Sequence, residues 1–272
     1  MILALDLGNS QLFGGVFEDG QLRFQFRRSS HPNSASDELG VFLRGVLREN
    51  NLDPALVDRI AICSVVPETL YSLRSCCRKY FAVDPFVLQA GARTGLKILY
   101  RNPAEVGADR IANAIGAVSL YPNDNVIVID FGTATTINVI SGKREYLGGA
   151  ILPGLRIAME ALEKNTARLP TVEIVPPHDI VGRSTVESIQ SGLYFGTRAM
   201  VVGLTRELRK AAFGNESTVV IGTGGFARLF EHEKMFDVLV PDLVLLGLQR
   251  ALEMNAEGSR RWTRQEDVER DH

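Results

Sequence analysis

A chain of 272 residues, 45% hydrophobic and 23% charged, is long enough for two domains and ordinary in composition for a globular protein. Its formal charge of -2 leaves no basic footprint, so neither nucleic acid nor a membrane surface is expected as a partner. The longest apolar runs, such as Ile2 to Leu7 and Val126 to Ile129, are strand-sized and too short to span a bilayer. Asp6 interrupts the first run and no basic stretch precedes it, which argues against a signal peptide. Cys63, Cys76 and Cys77 make neither a disulfide framework nor a zinc site, so inert thiols and a cytoplasmic setting are expected. His31, His178, His232 and His272 lack metal-ligand spacing.

The chain opens as a three-stranded meander over Ile2 to Leu7, Gln11 to Phe17 and Gln21 to Arg28, with Asp19-Gly20 as a hairpin signal. A polar loop from Ser29 to Ser36 leads to apolar positions at helical spacing, Leu39, Phe42, Leu43, Val46 and Leu47, which predict a helix over Asp37 to Glu49. Arg59 to Val66 reads as a strand ended by Pro67. A helix over Glu68 to Tyr80, a strand at Phe86 to Leu88, an irregular stretch from Gly91 to Gly107 and a helix over Ala108 to Leu120 complete the first half.

From Val126 the opening pattern returns. Ile127 to Gly132 matches Leu3 to Gly8 position for position, and Thr135 to Ile140 takes the role of Gln11 to Val16. Both copies turn at a glycine, Gly20 and Gly142, into a third strand. Such self-similarity predicts a duplicated unit, with two α/β lobes around a central cleft. The second half continues with a Gly/Pro loop at Gly148 to Gly154 and a helix over Leu155 to Glu163. A Pro-rich connection from Pro170 to Pro177 and a long helix over Thr185 to Ala212 come next. A strand at Thr218 to Ile221, a glycine turn and a helix over Leu243 to Met254 complete it. The polar tail from Glu257 to His272 reads as disordered.

The repeated hairpin carries chemistry. A tight turn between strands presents backbone N–H groups, and small residues let an anion approach them closely. Gly8-Asn9-Ser10 and Gly132-Thr133-Ala134-Thr135-Thr136 both fit, although Asp-capped hairpin turns account for either copy alone. Asp6 and Asp130 each close a buried strand, where a cation, directly or through its waters, would satisfy the carboxylate. No Walker A sequence is present, so any phosphate site is of another kind. Gly222-Thr223-Gly224-Gly225 is either a close-approach point for a nucleotide or a plain strand-to-helix turn. Gly107-Ala108-Asp109-Arg110 enters a helix, where Asp109 is either an ordinary first-turn carboxylate or a proton acceptor. Arg110 has the forked geometry to hold a substrate carboxylate.

With these residues in hand, the chain resembles the type III pantothenate kinases, of the acetate and sugar kinase, Hsp70 and actin superfamily. The resemblance rests on Asp6-Leu7-Gly8-Asn9-Ser10, Ser64-Val65-Val66-Pro67, Tyr100-Arg101-Asn102-Pro103, Gly107-Ala108-Asp109-Arg110, Asp130 to Thr136, Gly148-Gly149 through Pro153-Gly154, and Thr185 with Ile189 to Gly192. It runs from Met1 to about Met254. What it implies is an α/β fold of two actin-like (ribonuclease H-like) domains with mixed sheets and a cleft between them. The division expected is 1–115, 116–256 and a tail over 257–272.

The activity implied is ATP-dependent phosphorylation of pantothenate at its primary hydroxyl, the first step toward coenzyme A. By the same resemblance Asp6, Leu7, Gly8, Asn9, Ser10, Gln11, Leu12 and Phe13 bind ATP phosphates, and Thr133 assists. Asp109 is the general base. Tyr100, Gly107, Ala108, Asp109, Arg110 and Thr185 bind pantothenate. Asp130 binds a monovalent cation, potassium or ammonium, and magnesium accompanies ATP. A homodimer is implied, with Thr185 near the subunit interface. Ser10 stands where the family usually has threonine, keeping the hydroxyl and losing a methyl.

Overall fold

The structure is a computed structural model that describes residues 1–30, 34–255 and, by backbone alone, 260–261. In chain order its strands and helices are β1 (Ile2–Leu7), β2 (Gln11–Glu18), β3 (Gln21–Ser29), α1 (Ser36–Glu49), β4 (Arg59–Ser64), α2 (Pro67–Phe81), β5 (Val83–Asp84), β6 (Phe86–Val87), β7 (Lys97–Ile98) and α3 (Ala108–Leu120). Then follow β8 (Asn125–Phe131), β9 (Ala134–Ile140), β10 (Glu145–Pro153), α4 (Leu155–Asn165), α5 (Thr185–Phe213), β11 (Thr218–Thr223), β12 (Val238–Leu239), α6 (Leu243–Met254) and β13 (Arg260–Arg261).

Local chemistry explains most boundaries. In α1 the i, i+4 series Leu39, Leu43 and Leu47 is buried, and Asp37 and Glu38 sit in the first turn, where the helix dipole favours carboxylates. Pro67 occupies the first turn of α2, where its missing N–H costs nothing, and Ala82 ends that helix in the left-handed region at φ 54°. Ser184 caps α5 by accepting from the Glu187 amide (3.2 Å), while the Glu187 carboxylate accepts from the Arg183 amide (2.6 Å).

The described residues form two compact units. One comprises Met1–Gly95, Ala104–Gly116 and the described residues from Val244 onward; the other comprises Leu96–Pro103 and Ala117–Leu243. The division expected from sequence has a single cut between domains, at 115/116, whereas these units interleave. β7 belongs with the second because it pairs in parallel with β10, and α6 with the first because Gly247 packs against the Ala112 carbonyl.

Each unit is built on a mixed sheet. The first has order β3-β2-β1-β4-β6, and the second has order β12-β11-β8-β9-β10-β7. In both, an antiparallel three-strand meander is followed by two parallel strands, β4 and β6 in one and β11 and β12 in the other. The duplication predicted from sequence is therefore present in strand order, with β7 added at one edge. One core gathers Leu3, Leu5 and Leu7 with Leu39, Leu43, Ile60 and Leu73; the other gathers Ile127, Ile129 and Phe131 with Ile137, Leu193 and Phe230. Each such buried side chain contributes about 1.5–3 kcal/mol.

Four expectations need correction. The Gly/Pro stretch 148–154 is largely strand: β10 runs through Pro153, with a bulge between Tyr146 and Gly148, because its backbone pairs with β9 up to Ala134. The irregular stretch 91–107 contains β7 and a 3-10 turn at Pro103–Glu105. The hairpins differ by one residue: Leu7 pairs with Leu12, whereas Phe131 pairs with Thr135, so Thr135 corresponds to Leu12 rather than Gln11. In the tail expected to be disordered, Arg260–Arg261 pairs antiparallel with β5; the rest of that stretch, like residues 31–33 of the polar loop, lies outside the described residues.

Candidate active site

In the first unit, β1 ends in Asp6 and Leu7 and the chain turns through Gly8, Asn9 and Ser10. The Gly8 amide donates to the Gln11 carbonyl (3.0 Å), and Ser30 laces the turn from beyond β3, its amide donating to Ser10 O (2.9 Å) and its hydroxyl to Gly8 O (2.9 Å). Asn9, Ser10 and Gln11 are exposed at the tip. Leu7 and Leu12 belong to the core, and Phe13 is buried with the Arg27 guanidinium 3.6 Å above its ring. The exposed tip can thus meet a ligand through its small polar residues and backbone, while the flanking side chains fix the turn.

Asp6 pairs across the parallel strands with Cys63, whose Sγ–H donates to Asp6 Oδ1 (3.1 Å). Burial pushes this thiol well above its ordinary value, and the Asp6 and Asp109 carboxylates push it further. Cys63 therefore stays a protonated donor, with both carboxylates near it. Asp109 lies in the first turn of α3, its Oδ1 accepting from the Arg110 amide (2.8 Å). Gly107 leaves room for the Asp109 carboxylate as it stands, since a Cβ there would press on its Oδ1, and that Cβ would lie 3.8 Å from Val65. The Val65 amide in turn donates to Leu7 O (3.2 Å). Asp6, Cys63, Gly107 and Asp109 are thus gathered at one end of β1 and β4. Arg110 is buried, at 7% exposure.

In the second unit, β8 ends in Asp130 and Phe131, and the Gly132 amide donates to Ala134 O (3.2 Å), closing a turn whose tip residue, Thr133, is exposed. Here the neighbours are glycines. A Cβ at Gly154, just before α4, would collide with the Thr133 carbonyl; one at Gly224, at φ 92°, would collide with Asp130 Oδ1 and stand 2.6 Å from the Phe131 amide nitrogen. Tyr100, just after β7, lies against the Tyr146 ring (6.4 Å between centroids) and beside Gly148. Thr185, the first residue of α5, is exposed on a groove of about 870 Å³ lined by Ala158, Leu162, Leu169, Ser188 and Ile189.

The structure therefore joins Asp6 to Asp109 in one unit and Asp130 to its hairpin in the other. Thr185 stands on its own groove, and Tyr100 stands just beyond β7. From sequence alone Gly224 sits in a motif that a plain strand-to-helix turn also explains, Gly154 reads as loop, and Cys63 reads as an inert thiol. No local spacing encodes the pairing that sets Cys63 beside Asp6 and Thr223 beside Asp130. Among the described residues no cluster of three or more His, Cys, Asp or Glu could hold a metal ion, and no helix is long and apolar enough to cross a membrane.

Solved structures define the class. The chain matches an activator of 2-hydroxyisocaproyl-CoA dehydratase from Clostridium difficile with bound ADPNP at 13% identity and a TM-score of 0.52, covering 94% of this chain and 96% of that one. It matches a candidate Baf family transcriptional activator from Campylobacter jejuni at 19% identity and a TM-score of 0.57, covering 94% and 99%. At such identities these show fold alone: an α/β protein of duplicated actin-like domains. The family model for type III pantothenate kinase matches residues 2–207. Proteins named type III pantothenate kinase from Legionella pneumophila (strain Corby) and Elusimicrobium minutum are 57% and 48% identical over 255 residues, 94% of this chain and 99% of each relative. The chain belongs to the type III pantothenate kinase family.

Proposed function

We propose that the chain carries out its family's reaction, ATP-dependent phosphorylation of pantothenate at the first step of coenzyme A biosynthesis, by direct in-line transfer with Asp109 as general base. In this step the primary hydroxyl oxygen of pantothenate bonds to the γ-phosphorus, the bond from that phosphorus to the β,γ-bridging oxygen breaks, and ADP leaves. The hydroxyl proton passes to the Asp109 carboxylate. The observation that supports Asp109 in this role is its place at the helix N-terminus beside the Asp6–Cys63 pair.

The turn Gly8–Ser10, with Asn9 and Ser10 exposed, would receive ATP phosphates on the first hairpin, with Asp6 and the remainder of the stretch to Phe13 shaping it; Thr133 is the residue of the second hairpin assigned to ATP. To pantothenate we assign Gly107, Ala108 and Arg110 in the first unit and Tyr100 and Thr185 in the second, Arg110 pairing with its carboxylate. Asp130 fits a monovalent cation: it is a half-buried carboxylate at a strand end, approached by backbone at Gly224. Asp6 fits magnesium as a single carboxylate of the kind that ion takes alongside substrate phosphates, where it supplies charge neutralisation. Homodimerisation is supported by Ile180, Val181 and Val186, which are 64%, 71% and 43% exposed around the start of α5. The cytoplasm is supported by three free, buried thiols.

The test is incubation with ATP and a panel of small alcohols. Loss of ATP only in the presence of pantothenate is expected, and loss with another alcohol instead would overturn the assignment.

A further inference from the structure

The two faces of the second sheet are unlike. Ile127, Ile129, Phe131, Ile137 and Val139 belong to the apolar core on one. On the other, a row of polar side chains crosses the strands. Asp130 is directly opposite Thr136 in the β8–β9 ladder, so their side chains share a face. Two residues along, Asn138 donates from its side-chain amide to the Thr136 hydroxyl (3.0 Å). The Asn138 amide oxygen accepts from the Tyr146 hydroxyl (2.7 Å), a bond between two side chains that are both 0% exposed. Tyr146 packs on Tyr100, whose chain segment is fixed by the Leu99 amide donating to Tyr146 O (2.9 Å).

Two glycines of β10 lie beside this row. Gly149 is opposite Asn138, and a Cβ there would collide with the Ile137 carbonyl; Gly148 lies under Tyr100 at φ 119°. Burying an amide and a phenol is costly unless each keeps its partner, so these bonds have one favoured arrangement. A shift at either end would break a buried hydrogen bond.

We propose that Asn138 and Tyr146 are positioning residues that link Tyr100 to the Asp130 hairpin, so that pantothenate binding and monovalent-cation binding strengthen each other. The proposal rests on the roles given above to Tyr100 and Asp130. Linkage is reciprocal: raising the cation concentration lowers the KM for pantothenate, and pantothenate lowers the half-activating cation concentration by the same factor when both report binding.

The experiment measures the KM for pantothenate of the full chain across a potassium titration, for wild type, Tyr146→Phe and Thr136→Val. Both substitutions keep shape and delete one hydroxyl, at opposite ends of Asn138. Wild type is expected to show a change of about fivefold or more, within the ordinary range of coupling. Each variant is expected to reduce it to within about twofold. A merely structural role would lower the unfolding midpoint and leave the coupling intact, and that result overturns the proposal, as does an uncoupled wild type. Tyr100→Ala and Asp130→Asn separate the two levels. If neither alters its own ligand's constant, the site assignment fails; if both do while Tyr146→Phe keeps wild-type coupling, only the positioning role fails.

Discussion

At the first hairpin Asp6 meets the thiol of Cys63 on the neighbouring parallel strand, and Ser30 ties the turn from outside. At the second, the strand position beside Asp130 is Thr223, and the turn is hemmed by Gly154 and Gly224, whose missing side chains let backbone approach. The sequences Asp-Leu-Gly and Asp-Phe-Gly are nearly the same, and so is the strand order around them. Their surroundings differ in what they offer a ligand. The first sets a carboxylate with a buried thiol donor near Asp109, to which we assign the role of proton acceptor, while the turn's backbone and polar tip are assigned the phosphates. The second sets a carboxylate among close backbone, to which we assign the monovalent cation. A repeated motif thus supplies a repeated scaffold, and the residues opposite it set the chemistry.

The largest expected effect lies beside the first hairpin. Asp109→Asn is expected to lower kcat by about 10²- to 10⁴-fold with an unchanged thermal melt, the usual worth of a general base. Near-normal turnover in steady-state assays would remove Asp109 from that role.

Next comes the packing contrast. Gly224→Val meets both a positive φ and the Phe131 backbone, and is expected to destabilise by about 2–4 kcal/mol in urea unfolding. Gly8→Ala, whose nearest neighbour would be Gln11 O at 3.3 Å, is expected to cost less than about 1 kcal/mol. Equal losses would mean that the two turns are packed alike.

Much of this was legible in the sequence. The apolar runs ending in Asp6 and Asp130 and the Asp19-Gly20 turn were enough for the two meanders. Residues 148–153 were not legible, because glycine and proline punctuate loops locally, while here the ladder to β9 overrides that preference. The Cys63–Asp6 and Thr223–Asp130 pairings were hidden as well: they join distant segments through parallel registers that no local spacing encodes. The placement of α6 is a third case, since Leu245 packing near Gly15 depends on the tertiary fold.

A smaller effect concerns pH. Burial, then the nearby carboxylates, raises Cys63 well above the ordinary thiol value of 9.0. As pH passes that value the unfolded chain releases its proton while the folded one keeps it, so stability falls with rising pH, by at most ~1.4 kcal/mol per unit for each thiol. Cys77 is shifted in the same direction. Cys63→Ser keeps a donor to Asp6 and removes one titrating group, so urea midpoints between pH 8 and 10 are expected to fall less steeply than in wild type. An identical slope would show that Cys63 does not contribute.

The division of labour between the hairpins is tested most directly by titrating ATP and potassium against Asp6→Asn and Asp130→Asn side by side. The expected result is a crossed pattern: Asp6→Asn raises the KM for ATP about tenfold and leaves the half-activating potassium concentration unchanged, whereas Asp130→Asn does the reverse. If both substitutions shift the same constant, the two hairpins share one ligand, and the assignment of separate roles is wrong.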